Sequence, residues 1–274
     1  MVDEQLGGRI EKSLAKSAVA YATRHRALFP EHGAEVLEIG GAGGGMAVWA
    51  TAFGAPNVSR AFALGLGGEV TADELTRVED FYATRGGKVR ITTCPWTHES
   101  LFVQMAARGY RVSSFEHVLT RVLTAEEDFA PARPAPGVAV GRVPPGGAVP
   151  WGAIVREGFG EDKDDPLGAT IDGVFDASTT AALFLATVDG VPAGGAALEL
   201  QDGVGFFFAT ATLEAYRRRG VQAALIAARL AHARERGADL AVVVTDPGSD
   251  SQRNLEKNCA FHMGYAEVVF ARHK

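Results

Sequence analysis

The run Arg217-Arg218-Arg219-Gly220-Val221-Gln222 is the part of the chain best suited to chemistry on an anion. It lies between an alanine- and threonine-rich stretch at 209–213 and an amphipathic pattern that begins at Val221, so it predicts a strand, a tight basic turn and a helix N-terminus in succession. The first turn of a helix leaves backbone N–H groups without intrahelical partners, and the aligned peptide dipoles put partial positive charge at the same end. A phosphate or pyrophosphate suits such a place. Gly220 would let the backbone approach a bulky anion, Ala223 and Ala224 keep the approach open, and the arginines add cationic donors, one or two of which would face the ligand. A solvated basic turn ahead of an ordinary helix would use the same residues, so this tract alone leaves both readings standing.

Further along, Thr245-Asp246-Pro247-Gly248-Ser249-Asp250-Ser251-Gln252-Arg253-Asn254 leads from a short apolar strand into another helix, with Ser251 suited to an N-cap. Taken in order, these tracts resemble the GNAT acetyltransferase superfamily. Its cofactor motif reads Arg or Gln, two residues, Gly, any residue, then Gly or Ala. Arg217 takes the first position and Gly220 the central one; Gln222 departs from the last, and is similar to a Gly-Val-Gln-x-Ala-Leu variant. The resemblance covers residues 151–274 and implies acetyl-CoA as cosubstrate. It implies that Arg217, Arg218, Arg219, Gly220, Val221, Gln222, Ala223 and Ala224 hold the pyrophosphate, and that Asn254 meets the pantetheine or pyrophosphate arm. It further implies that a main-chain N–H among Ala211, Thr212 and Leu213 meets the acetyl carbonyl.

In this superfamily an amine attacks the thioester directly, so the implied tasks are positioning, proton removal and oxyanion stabilisation. A carboxylate acting through water would serve as base, and Glu199 and Glu161 are the candidates by position, although a lone acidic residue is more often solvated surface. The family's acid is a Tyr just after the Asn helix. No Tyr stands there in Cys259-Ala260-Phe261-His262-Met263-Gly264-Tyr265, which leaves Tyr265 as the catalytic candidate and core packing as its plainer reading.

The elements needed to position these residues alternate between helical and strand patterns, which predicts a mixed α/β fold. In the second half the pattern gives a helix at 151–158, a hairpin of 181–188 with 193–200 about Asp189-Gly190, and a strand at 205–213. A helix at 221–236, a strand at 240–245, a helix at 251–258 and a strand at 265–271 complete it. The first half has the same rhythm: helix 10–28, strands 35–39, 46–50 and 61–66, helix 71–85, strand 89–93, helix 99–108 and strand 114–123. Prolines 131, 134, 136, 144, 145 and 150 mark residues 126–150 as a linker with a short strand at 138–143. The division expected is 1–125, 126–150 and 151–274, two GNAT-like domains that are each a twisted mixed sheet flanked by helices. The first resembles the degenerate amino-terminal copy of tandem members: residues 61–68 occupy the place of the cofactor strand and loop but lack its arginines, so it is not expected to hold CoA.

Bulk properties narrow the partners. The 274 residues are 47% hydrophobic and 22% charged, as in an ordinary globular protein, and 27 basic against 33 acidic residues give a net charge of -6. That balance excludes a nucleic-acid footprint and mildly favours a cationic substrate, here a small-molecule amine. Cys94 and Cys259 are far apart, indicating neither a disulfide scaffold nor a metal site. The absence of a long apolar run points away from a membrane partner and toward a cytoplasmic protein, with a homodimer left open. Two other functions compete. The tract Glu35-Val36-Leu37-Glu38-Ile39-Gly40-Gly41-Ala42-Gly43-Gly44-Gly45 looks like the first motif of S-adenosylmethionine methyltransferases, or else a glycine hairpin between two strands. A CoA or small-ligand binder without catalysis is the other.

Overall fold

The computed structural model describes residues 2–50, 58–124, 127, 129 and 135–272. The chain is mixed α/β and divides into two compact units. Unit 1 comprises Met1–Val118, Thr245–Ser249 and Met263–Lys274, and unit 2 comprises Leu119–Val244 and Asp250–His262. This grouping differs from a cut at the proline-rich segment, because the last strand packs with unit 1.

In unit 1, helix α1 (Glu4–Leu28) is followed by β1 (Glu35–Glu38), β2 (Met46–Trp49), the two-residue β3 (Ala61–Phe62), α2 (Ala72–Ala83), β4 (Arg90–Thr93), α3 (Glu99–Ala107) and β5 (Tyr110–Val122). The strand β11 (His262–Arg272) pairs antiparallel with β4, whereas β3 and β4 run parallel through Ala61 and Ile91. Side chains alternate across this sheet, as the two-residue period of a strand requires. Val48 packs with Ala15, Ala18 and Ala22 of α1, while Ala47 and Trp49 pack with Leu75, Val78 and Tyr82 of α2. β1 and β2 are antiparallel, pairing Glu38 with Met46, and the backbone of Ile39 donates to Gly45 across the turn. The glycine tract is therefore a hairpin, and the strand–turn–helix needed by a methyltransferase motif is not formed.

Unit 2 contains β6 (Val138–Arg142), α4 (Ala148–Phe159), α5 (Pro166–Gly173), β7 (Ala181–Val188), β8 (Val191–Gln201), β9 (Val204–Thr212), α6 (Val221–Glu235), β10 (Leu240–Thr245) and α7 (Asp250–Asn258). Its strands lie in the order β10-β9-β8-β7-β6. β6, β7, β8 and β9 are antiparallel neighbours, and β9 and β10 run parallel. Alternation again divides the faces: Ala182, Phe184, Ala196 and Leu198 meet Val221, Leu225 and Leu230 of α6, whereas Leu183 and Ala197 meet Trp151 and Val155 of α4.

Within the segment read as a linker, β6 forms five register pairs with β7, and α4 begins at Ala148. Its Glu126, Pro131 and Pro134 lie outside the described residues, as do Gly54 and Pro56. Helix α5 has no counterpart in the sequence-based expectation. Its two glycines and its short length weaken the periodic signal, and Asp165 creates its start by accepting from the backbone N–H groups of Leu167 and Gly168. Ser251 lies inside the first turn of α7, which starts one residue earlier at Asp250.

The interior of unit 1 contains an unusual group of acids. The Tyr265 hydroxyl donates to Glu11 Oε1 at 2.7 Å, the Glu11 and Glu267 carboxyls hydrogen-bond to each other, and both glutamates are 3% exposed. Arg60, paired with Glu116 at 3.0 Å and bonded to Thr92, faces the same cluster, as does Cys94. Burial raises both glutamate pKa values above 4.5, with Glu11 adding to the rise at Glu267. A carboxyl whose folded pKa is raised contributes stability below its unfolded pKa and loses it as pH climbs toward the folded one. Thermal stability should therefore fall as pH rises above about 4.5. In a pH series of melting curves, Glu267→Gln should flatten that fall and raise the melting temperature at pH 8 by roughly 2–8 °C.

Candidate functional site

β9 prepares the anion-binding turn through an irregularity in its pairing with β8. Ala197 opposes Phe208 and Gly195 opposes Ala211, so two steps along β8 match three along β9. The extra β9 residue is a bulge, and Ala209 within it takes φ 48°, a left-handed conformation that costs an alanine energy. On its other edge, β9 pairs with β10 only from Val204 to Phe207. Beyond Phe207 its backbone therefore has β8 alone as a paired neighbour.

Strand alternation then identifies which groups face that free edge. Leu213 N–H donates to Ala193 on β8 at 2.9 Å, so it is engaged and unavailable to a ligand. The N–H and C=O of Thr212, one residue earlier, point the opposite way. The Thr212 carbonyl there accepts from Arg217 Nε at 3.4 Å, and a second Arg217 nitrogen donates to the Gly158 carbonyl of α4 at 3.2 Å. Ala211 is buried, with its backbone turned toward β8 opposite Gly195.

After a short 3-10 turn at Glu214–Tyr216, the chain passes through Arg218 at φ 62° and Gly220 at φ 81° and enters α6. Gly220 is required twice over. Its dihedral is left-handed, and a Cβ there would lie 2.6 Å from the Ala135 Cβ. No side chain caps this N-terminus. The Gly220 carbonyl takes the first helical bond from Ala224, while the N–H groups of Gly220, Val221, Gln222 and Ala223 have no acceptor among the described residues. No acidic residue occupies the first turn. The end is thus cationic and rich in free donors, which is the chemistry of an anion site.

The three arginines divide their work. Arg217 braces Thr212 and Gly158 as described. Arg219 stands 3.6 Å from Asp189 and over the Tyr216 ring, and only exposed Arg218 has no partner among the described residues. Asn254 of α7 donates to Gln222 Oε1 at 3.0 Å and accepts from Asn258 at 2.8 Å. The fold therefore brings Gln222 and Asn254 together from tracts thirty-two residues apart.

The catalytic candidates stand in different settings. Glu199 on β8 is 2% exposed, accepts from the Thr180 hydroxyl and lies 3.4 Å from Gln201 Nε2. It opposes Phe206 of β9, on the sheet face that also carries Phe208, against which Phe175 packs. Glu161 is exposed beyond α4. Tyr265 belongs to the interior of unit 1, with its proton donated to Glu11, and burial and the two glutamates push its pKa up strongly. The bulge at Ala209 and the buried Arg229 escaped sequence reasoning. An Ala-Thr-Ala-Thr run carries no mark of an inserted residue, and an arginine in an amphipathic helix reads as surface.

Unit 1 has a corresponding strand, loop and helix, β3 to α2, with opposite chemistry. Thr71 and Glu74 form a reciprocal capping box: Glu74 N–H donates to the Thr71 hydroxyl, and Thr71 N–H donates to the Glu74 carboxylate at 2.7 Å. Asp73 and Glu74 make that first turn acidic. The glycine hairpin also lies against the loop: Gly65 N–H donates to the Gly43 carbonyl at 2.8 Å, and a Cβ on Gly67 would stand 2.4 Å from the Ala42 carbonyl oxygen.

A mixed sheet with a bulged strand running into an uncapped, arginine-preceded helix can hold an extended ligand that ends in a phosphate. Residues 153–261 match the acetyltransferase (GNAT) family, whose fold supports acyl transfer. Among solved structures, the chain resembles a GCN5-related N-acetyltransferase from Kribbella flavida, with 21% identity, 95% of each chain covered and a TM-score of 0.63. It also resembles a tandem GNAT protein from the clavulanic acid biosynthesis pathway, with 14% identity, 92% of this chain and 87% of that one covered, and a TM-score of 0.64. At 18% identity, a GCN5-related N-acetyltransferase from Sphaerobacter thermophilus covers 78% of this chain and 71% of its own, with a TM-score of 0.54. At such identities the likeness concerns the fold. No curated protein matches the chain significantly. Among the described residues, no helix is long and apolar enough to cross a membrane, and no group of three or more His, Cys, Asp or Glu could hold a metal ion.

The double requirement at Gly220 is open to direct test. Gly220→Ala should lower the urea unfolding free energy by roughly 1–2 kcal/mol with an unchanged m-value, because the left-handed backbone strains any Cβ before the Ala135 contact is counted.

Proposed function

We propose that this protein is an N-acetyltransferase that transfers the acetyl group of acetyl-CoA to a primary amine, using one cofactor site in unit 2. The observation that carries the reading is the contrast between two helix starts. The α6 terminus is uncapped and preceded by three arginines, while that of α2 is closed by its own Thr71–Glu74 box. In the proposed complex the pyrophosphate lies on the N–H groups of Gly220, Val221, Gln222 and Ala223, with Arg218 free to approach it. Ala224 flanks the cradle without lending its N–H, and Asn254 lies beside it through Gln222. The thioester extends along the free edge of β9.

The amine lone pair attacks the thioester carbon, and the developing oxyanion takes a hydrogen bond from Thr212 N–H. The C–S bond then breaks and CoA leaves as thiolate. Glu199, acting through water, removes the proton of the attacking amine; Glu161 is the exposed alternative. Tyr265 is a poor match for a general acid, with its hydroxyl bonded to Glu11 and its pKa so high. The thiolate therefore takes its proton from water.

Calorimetric titration with acetyl-CoA tests the site. The wild type should bind one equivalent per chain, and the Arg217→Ala, Gly220→Glu double variant should lose at least tenfold in affinity while keeping its circular dichroism. Thiol release over a panel of primary amines then separates an enzyme from a CoA binder without turnover. A wild type that binds no acetyl-CoA would sink the reading, and two equivalents would refute the inactive role given to unit 1.

A further inference from the structure

Arg229 lies on α6 two helical turns beyond the uncapped N-terminus, and it is 1% exposed. Burying a guanidinium is costly without a carboxylate to match it. Among the described residues Arg229 has no such partner: its hydrogen bonds go to the carbonyls of Leu225 at 3.1 Å and Ala197 at 3.1 Å, and its guanidinium carbon stands 4.6 Å from the centre of the Phe207 ring. Burial holds its pKa down to about 9.

Those contacts are specific in place. Ala197 is the β8 residue that borders the bulge, facing Phe208, and Phe207 is the last β9 residue paired with β10. A single side chain thus grips both strands where β9 leaves regular pairing, and it does so from the helix whose first turn offers the free N–H groups. A leucine or methionine would fill the volume more cheaply, but neither could hold the Ala197 carbonyl or stack a charge on Phe207.

We infer that Arg229 is a positioning residue, which locks the β9 bulge to α6 so that the Thr212 N–H and the α6 N-terminus keep a fixed spacing along one extended ligand. The ligand assignment rests on the acetyl-CoA reading; the clamp on the bulge does not. The guanidinium touches no reacting atom. It acts through the bulge and the helix.

Site-resolved hydrogen exchange on the full chain, without cofactor, reads the clamp directly. In Arg229→Met the amide of Ala211, whose backbone is turned toward Gly195 of β8, should exchange at least tenfold faster, while those of β7 keep wild-type rates. Acetyl-CoA affinity should fall at least fivefold and kcat more than KM accounts for, with Arg229→Lys recovering part of both because an ammonium can still reach one carbonyl. Wild-type exchange at Ala211 in a folded R229M protein overturns the inference. Should R229M fail to fold, R229K decides: faster exchange at Ala211 than in wild type supports the clamp, and unchanged exchange there overturns it. If the wild type binds no acetyl-CoA, the functional reading fails while the exchange result still stands on its own.

Discussion

The N–H groups of Gly220, Val221, Gln222 and Ala223 impose the constraint around which unit 2 is arranged. Unsatisfied donors at a helix start are ordinarily closed by a Ser, Thr, Asp or Asn one residue ahead, at a gain of about 1 kcal/mol. Here that position is Gly220, in a conformation other residues resist, and the chain forgoes the cap. Leaving donors open in this way is stable only where water or an anion can reach them, so the turn must stay at the surface and the strand leading into it must end early. The strand does so: β10 leaves β9 at Phe207, the bulge at Ala209 redirects the backbone, and Arg217 ties the last β9 carbonyl to the end of α4. Each of these features costs regular hydrogen bonding or backbone strain, and each serves the same few exposed donors.

Unit 1 solves the same local problem in the opposite sense. Its helix closes its own donors with Glu74, its loop is covered by the glycine hairpin, and Glu11, Glu267 and Tyr265 in its interior bond to one another. Glu11, Glu267 and Tyr265 form a chain of hydrogen bonds that can be fully satisfied only while protons remain on the carboxyls. A buried acid pair of this kind contributes specificity more readily than stability, since apolar residues of like volume would avoid the desolvation. It also fixes the place of β11, because Tyr265 and Glu267 alternate on the face that meets Glu11 of α1.

Much of this was legible in the residues. The 3.6-residue spacing from Val221 onward and the β-branched run at 240–245 name α6 and β10 within a residue or two, and Arg217 to Gln222 marks the turn between strand and helix. Periodicity tracks one element at a time, and so it reports neither a pairing partner nor a register. Periodicity alone therefore leaves β11 with the second half: its own sequence is an ordinary alternating strand, and the partner that places it is β4, with Thr93 and Val268 separated by 175 residues. The same limit hid the bulge, which exists only as a mismatch between β8 and β9. It also hid the difference between Thr212 and Leu213, which is one of direction and not of residue type. Tyr265 stands near the point in the chain where the resemblance wants a Tyr, and the glutamate that its hydroxyl meets lies 254 positions away.

Gln222 shows how a departure from a pattern can be absorbed. A long polar side chain at the second position of a helix could fold back over the open donors and cap them, much as Glu74 does in unit 1 one position later. In unit 2 that outcome is prevented by Asn254, whose amide nitrogen holds the Gln222 oxygen, and Asn254 is itself held by Asn258. This amide chain directs Gln222 toward α7, the neighbouring helix, and leaves the α6 N-terminus uncapped. A glycine or alanine at 222 would leave the donors open by having no side chain to offer; glutamine leaves them open by being occupied elsewhere. The role of Asn254 in an acyltransferase site would then be partly indirect: besides any contact with a cofactor, it keeps the anion-binding turn from closing on itself.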